Sequence, residues 1–235
     1  MLAGIRRTLA MGARVWDFFQ AHSSEEPGHK SVLDKLGERL RRADLLSDQQ
    51  RLGVAQERGA VARRVELRRS ISEELLPHLV RVGQVVEAER PDLAGKFRTP
   101  SPNAPLRVFR DSTRAMLNLA TANRDSFVAK GLSQALLDDL TVTLAEFEKA
   151  TALAHEGRRD HVGATADLKQ VTAEIVELVG QLDALNRYRF GKDTELLAAW
   201  RSARRVVGPF VSNGEVPKGQ EDGSVPPEGG AAQAG

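Results

Sequence analysis

Residues 31–90, SVLDKLGERLRRADLLSDQQRLGVAQERGAVARRVELRRSISEELLPHLVRVGQVVEAER, decide the fold. Leu33, Leu36, Leu40, Ala43, Ser47, Gln50, Val54, Glu57, Val61, Arg64, Arg68, Ile71, Leu75, His78, Val82 and Val85 succeed one another at steps of three and four. That is the period of one helix face, whereas a half-buried strand alternates with period two. The seam is apolar at both ends and polar in its middle.

The same stepping returns between Ser133 and Phe190, through Leu137, Leu140, Leu144, Phe147, Thr151, Ala154, Arg158, His161, Thr165, Leu168, Thr172, Ile175, Val179 and Leu182. A shift of 104 residues sets Ser31-Val-Leu-Asp-Lys-Leu36 on Ala135-Leu-Leu-Asp-Asp-Leu140 and Leu40 on Leu144. After one deletion, Glu74-Leu-Leu-Pro-His-Leu79 meets Glu177-Leu-Val-Gly-Gln-Leu182, and Pro91 to Phe97 meets Thr194 to Trp200. This order of elements predicts an internal duplication. The competing reading is chance agreement between two Leu-rich helices.

Each long region reads either as one continuous helix or as a helical hairpin. Gly53 and Gly59, with Gly157 and Gly163, stand where a hairpin turn would fall, and Glu156-Gly-Arg-Arg-Asp-His161 has turn chemistry. Against a turn, the seam crosses the polar middle without losing phase.

Around these regions the chain is punctuated. Leu2–Ala21 places Ile5, Leu9, Val15, Trp16 and Phe19 on one face of an amphipathic helix, ended by His22 to Gly28. Pro91 closes the first long region, and Thr99-Pro-Ser-Pro-Asn-Ala-Pro105 is an extended connection. A second short helix is predicted from Leu106 to about Lys130, with Val108, Phe109, Ala115, Met116, Leu119 and Phe127 as apolar members and Gly131 as its stop. Past Val207 the composition turns to Gly, Pro, Ser, Glu and Ala, which predicts a disordered tail. The expected organisation is therefore an all-α, elongated helical bundle. It has a first repeat at 1–98, a Pro-rich connection at 99–105, a second repeat at 106–207 and a disordered tail at 208–235.

Composition narrows the chemistry. The 235 residues are 41% hydrophobic but hold one Tyr, so a core is affordable and strands are disfavoured. The absence of Cys removes disulfides, thiolate nucleophiles, iron–sulfur clusters and Cys-ligated zinc. A formal charge of +2 argues weakly for a polyanionic partner, and 26 of the 34 basic residues are Arg, the bias of a GC-rich bacterial genome. No apolar run is long enough to span a bilayer, and Arg6, Arg7, Arg14 and Asp17 interrupt the start, so a cytoplasmic protein is expected.

No phosphate-loop, dinucleotide, nucleophile-elbow or His-Glu-x-x-His pattern occurs, so neither an enzyme nor a cofactor is expected. His155 and His161 are six residues apart, about 240° around a helix, which is wrong for a shared metal. Glu74 and His78 do not have the Glu-x-x-His spacing of di-iron bundles. Arg58, Arg63, Arg64, Arg68 and Arg69 form the densest basic patch and the candidate contact for a polyanion. The competing reading is a solvated face, or Arg pairing across the bundle to Glu156 and Asp160. Trp16, Phe18 and Phe19 opposite Arg6, Arg7 and Arg14 offer a peripheral membrane contact through residues 2–21, against ordinary core packing. Asn186-Arg-Tyr-Arg-Phe190 before Gly191 reads as a recognition corner or a capped one, with Asp193 or Thr194 starting the next helix.

At His161-Val-Gly-Ala164, Leu185-Asn-Arg-Tyr-Arg-Phe190 and Glu195-Leu-Leu-Ala-Ala-Trp200 the chain resembles a group of uncharacterised all-helical proteins of GC-rich bacteria, over about residues 30–207. The resemblance implies a bacterial origin and a helical fold, and it transfers no site residue. The functional expectation is a non-enzymatic helical scaffold or protein-interaction protein, self-associating or bound to another protein. The alternative is a nucleic-acid-associated protein using the Arg58–Arg69 face.

Overall fold

The computed structural model describes residues 3–206, and the tail expected at 208–235 lies outside them. Seven α-helices run in the order α1 (Ala3–Ala21), α2 (Pro27–Ser70), α3 (Leu76–Glu89), α4 (Leu106–Ala122), α5 (Arg124–Ala129), α6 (Gln134–Arg189) and α7 (Thr194–Ala203). No strand occurs among the described residues.

The long regions are helices and not hairpins. α6 runs unbroken for 56 residues, about 84 Å at the standard rise. α2 continues into α3 through one wide π turn at Ile71–Leu75, closed by the Leu76 N–H donating to the Ile71 carbonyl. Pro77 explains why a regular turn fails there: its ring would strike the carbonyl four residues back and it has no N–H to donate. Arg90 and Pro91 end the helix, and a short 3-10 turn at Pro91–Leu93 follows.

α2 and α6 lie antiparallel. Partners ascend on one helix as they descend on the other: His29 with Asn186, Arg39 with Glu174, Gln50 with Thr165, Arg63 with Glu146. Two separate apolar cores flank their midpoint. One joins Leu67–Phe97 to Ala104–Ala150, and the other joins Ile5–Leu46 to Ala164–Trp200. Each core thus draws on both sides of the 99–105 connection. Four pairs of positions set at the expected sequence offset are fully buried at both members. Leu36 and Leu140, Ile71 and Ile175, Leu79 and Leu182, and Phe97 and Trp200 all have 0% exposure.

The predicted helix at 106–130 is two helices. Asn123 interrupts it, its side-chain amide and its backbone N–H both donating to the Leu119 carbonyl. Gly131, at φ +91°, ends α5 as its sequence position suggests. Val108 and Ala115, expected inside, are exposed, while Thr113, Leu117 and Ala120 take the buried face. Arg68 anchors the connection by donating to the carbonyls of Pro102 and Ala104, both at 2.8 Å, with its guanidinium over the Phe109 ring.

Candidate interaction site at the helix crossing

Among the described residues, α2 and α6 are the helices that run from one core to the other, and their contact is lined by small residues. Gly53, Ala60, Ala154, Gly157 and Ala164 are buried there. A Cβ on Gly53 would lie 2.9 Å from the Gly157 carbonyl oxygen, and one on Gly157 would lie 2.7 Å from the Glu57 nitrogen. The backbones touch, which only glycine permits. The buried line therefore passes through the two glycines read from sequence as turn residues. Val54 and Val61 sit half-buried at its edge, and Arg158, expected on the seam, is exposed.

Polar pairs lock this crossing. His161 Nε2 stands 2.7 Å from Glu57 Oε2, a pair separated by 104 residues, and Gln50 Nε2 donates to Thr165 Oγ1 at 3.2 Å. Arg63 reaches Glu146 at 2.6 Å, and Arg42 faces Asp167 at 3.9 Å. In the two arginine pairs the base lies on α2 and the acid on α6, whereas in the Glu57–His161 pair the acid lies on α2. Glu156 and Asp160, named from sequence as Arg partners, are not those partners, because antiparallel α6 presents Glu146 at the height of Arg63.

The five arginines of the expected polyanion patch all stand on α2, in different surroundings. Arg63 is paired with Glu66 and Glu146, Arg69 with Glu73, and Arg68 is turned inward onto the connection. Arg58 and Arg64 make no ion pair among the described residues. Arg68→Ala is expected to cost about 2 kcal/mol of stability, through two lost charge-assisted bonds and one cation–π contact. Thermal unfolding checks it, and weakened DNA binding at unchanged melting temperature would show instead that Arg68 faces a ligand.

Other sequence candidates fall into packing. Phe18 and Phe19 are buried against Trp200 at ring distances of 5.5 and 5.6 Å, and Trp16 covers Gly37. His155 is exposed, and no group of three or more potential metal ligands occurs among the described residues. At the Asn186–Phe190 corner, Asn186 is fully buried with its carbonyl oxygen 3.1 Å from His29 Nε2, while Tyr188 is 93% exposed. Arg189 donates to the Ser23 carbonyl at 2.6 Å, and Asp193 caps α7 by accepting from the Glu195 and Leu196 N–H groups. No described helix is long and apolar enough to cross a membrane.

Behind this corner Asp183 receives the Trp200 indole N–H at 2.9 Å and faces Arg187 and Arg204. Burial pushes its carboxyl up, but the indole bond and the two arginines outweigh that and hold it below the ordinary carboxylate value. A depressed folded value stabilises the protein above the unfolded value, and that contribution is lost as pH falls through the folded one. Asp183→Asn should therefore be less stable than the parent at neutral pH, with the gap closing below about pH 4. Urea titrations at pH 7 and pH 3 test this; a gap unchanged by acid would mean the charge contributes nothing.

The open side of the crossing was missed in the sequence. Gln56, Gly59, Ala60, Arg63, Glu146, Lys149, Ala150 and Leu153 line a groove of about 400 Å³ between the long helices. On the same side of α2 as Gly59, Leu45 and Leu52 project into solvent. The available signal was a second seven-residue spacing, Leu45-Leu52-Gly59, running beside the seam. No family model, curated protein or solved structure matches the chain.

Proposed function

We propose that the protein is a non-enzymatic helical scaffold that works by binding another polypeptide at the crossing of its two long helices. The observation that carries this reading is the exposed apolar surface around a stretch only two helices thick. Leu52, 70% exposed, lies within the segment that neither core covers, and Leu45, 65% exposed, stands beside Leu46 at its edge. Both share a side of α2 with Gly59 of the groove, which Leu153 lines from α6. Large apolar side chains gathered beside an open groove are a docking surface for protein more readily than for nucleic acid.

In the same reading the chain is a duplicated unit fused into an internal pseudo-dimer, an antiparallel coiled-coil pair with short helices added at each end. Three observations support it. Glu57 and His161 are separated by the repeat offset and touch each other, as equivalent residues beside a two-fold axis do. The Arg63–Glu146 and Arg42–Asp167 pairs exchange with one another under that same offset. The π turn at Ile71–Leu75 falls where the offset drops by one residue, and a π turn is how a helix absorbs a single extra residue.

A photoreactive amino acid at Leu153, compared with one at Lys30 in the full chain inside its host, tests the docking site. Polypeptide adducts from position 153 are the expected result. Absence of any polypeptide adduct there would overturn the reading.

A further inference from the structure

Leu45, Leu52 and Gly59 follow one another at seven-residue intervals, two helical turns, and so form one stripe along the outer side of α2. Gly59 also lines the groove with Leu153, which places stripe and groove on the same open side. A Cβ added at Gly59 or Gly163 would meet nothing within 4 Å, so each glycine leaves a notch in its helix surface. The two notches stand at corresponding positions on the two long helices.

The charges of those helices are segregated. α2 carries eleven basic and six acidic residues, and α6 carries ten acidic and six basic. Within the molecule this bias is already used, in Arg39–Glu174, Arg42–Asp167 and Arg63–Glu146. It also selects what fits the open side.

We propose that a second copy of this chain docks there, with α2 of each subunit lying on α6 of the other, so that four antiparallel helices form the waist of a dimer. The proposal rests on the scaffold reading and names its partner. Two symmetric arrangements bring the open sides together. A two-fold axis perpendicular to the long helices sets α2 on α2 and α6 on α6, which brings the α6 side carrying Glu156, Asp160 and Asp167 against its own copy and is disfavoured by like charge. An axis parallel to them sets that acidic side of each α6 on an α2 instead.

The parallel axis also preserves the height of every residue along the rod. Gly53 stands between Gly157 and His161, and Gln50 is level with Thr165. Leu52 therefore stands level with Gly163 of the partner subunit, and Leu153 stands level with Gly59 of the partner subunit. Each leucine faces a notch, the knob-into-hole relation that helix pairs require.

Light scattering on the full chain should give twice its 25.7 kDa mass, falling towards one chain on dilution. Leu52→Glu should raise the dissociation constant at least about 30-fold, the loss of one interface hot spot. Circular dichroism should be unchanged, because Leu52 supports no core. With no native cysteine, single substitutions report the arrangement directly. Leu52→Cys mixed with Gly163→Cys should oxidise to a covalent dimer, while Leu52→Cys alone should cross-link poorly. A one-chain mass at every dilution, or a dimer indifferent to Leu52→Glu, overturns the proposal. Preferential cross-linking of Leu52→Cys with itself overturns it too, since that reports α2 on α2. If the photoreactive group at position 153 captures only a different polypeptide, the dimer is wrong while the scaffold reading stands.

Discussion

Gly157→Ala is expected to lower the unfolding free energy by about 2–3 kcal/mol, although alanine is the better helix former by about 1 kcal/mol. The added methyl would lie 2.7 Å from the Glu57 nitrogen and 2.8 Å from the Gly53 carbonyl oxygen. Both are backbone atoms, and neither can rotate aside as a side-chain tip would. The long helices would have to separate, loosening the Glu57–His161 and Gln50–Thr165 bonds beside the crossing. Gly163→Ala, on the same helix, should do the reverse. Nothing lies near its new methyl, so the helix propensity gain of about 0.5–1 kcal/mol remains. Urea unfolding of the two variants side by side gives opposite signs if the crossing is as close as described. A Gly157→Ala protein as stable as its parent would mean the helices are not in backbone contact.

Trp200→Ala should be costlier, about 3–5 kcal/mol, from loss of the largest fully buried side chain of the terminal core. Its ring packs on Phe18 and Phe19, so it is a main contact by which α7 holds α1 in place. Trp200→Phe separates the two contributions. It keeps much of the apolar contact but removes the N–H given to Asp183, at a cost of about 1–3 kcal/mol. If both variants lose the same amount, the hydrogen bond dominates and the ring packing is minor. Thermal and denaturant unfolding of both variants decides between these cases.

Much of the helical content is legible from residue order. The three-and-four stepping marks both long helices, and Pro91, the 99–105 prolines and Gly131 mark real ends. The hairpin alternative survived in the sequence because glycine serves two purposes. At Gly53 and Gly157 it permits two backbones to touch, and nothing local distinguishes that use from a turn. The break at Asn123 was hidden for a related reason, since Asn is tolerated inside helices and acts here by capturing a carbonyl. Arg68 looked like part of a charged surface because its partners are backbone carbonyls in an irregular segment, which carry no sequence signature. The open side was obscured by the stronger seam running two residues away from it.

The two cores also differ in how they can be assembled. The one built from Leu67 to Ala150 is made of a single continuous stretch of chain, whereas the other needs Ile5–Leu46 to meet Ala164–Trp200. One is therefore nested inside the other along the sequence. Contacts close in sequence form sooner than distant ones, so the central stretch closes first and brings the remaining arms of α2 and α6 side by side. The terminal core then closes by zippering outward from the crossing, and it is complete only once the segment containing Trp200 has been synthesised. During synthesis α1 can pack on α2 early, but the part of its apolar face that meets α6 and α7 has to wait for almost the whole of the described chain to emerge.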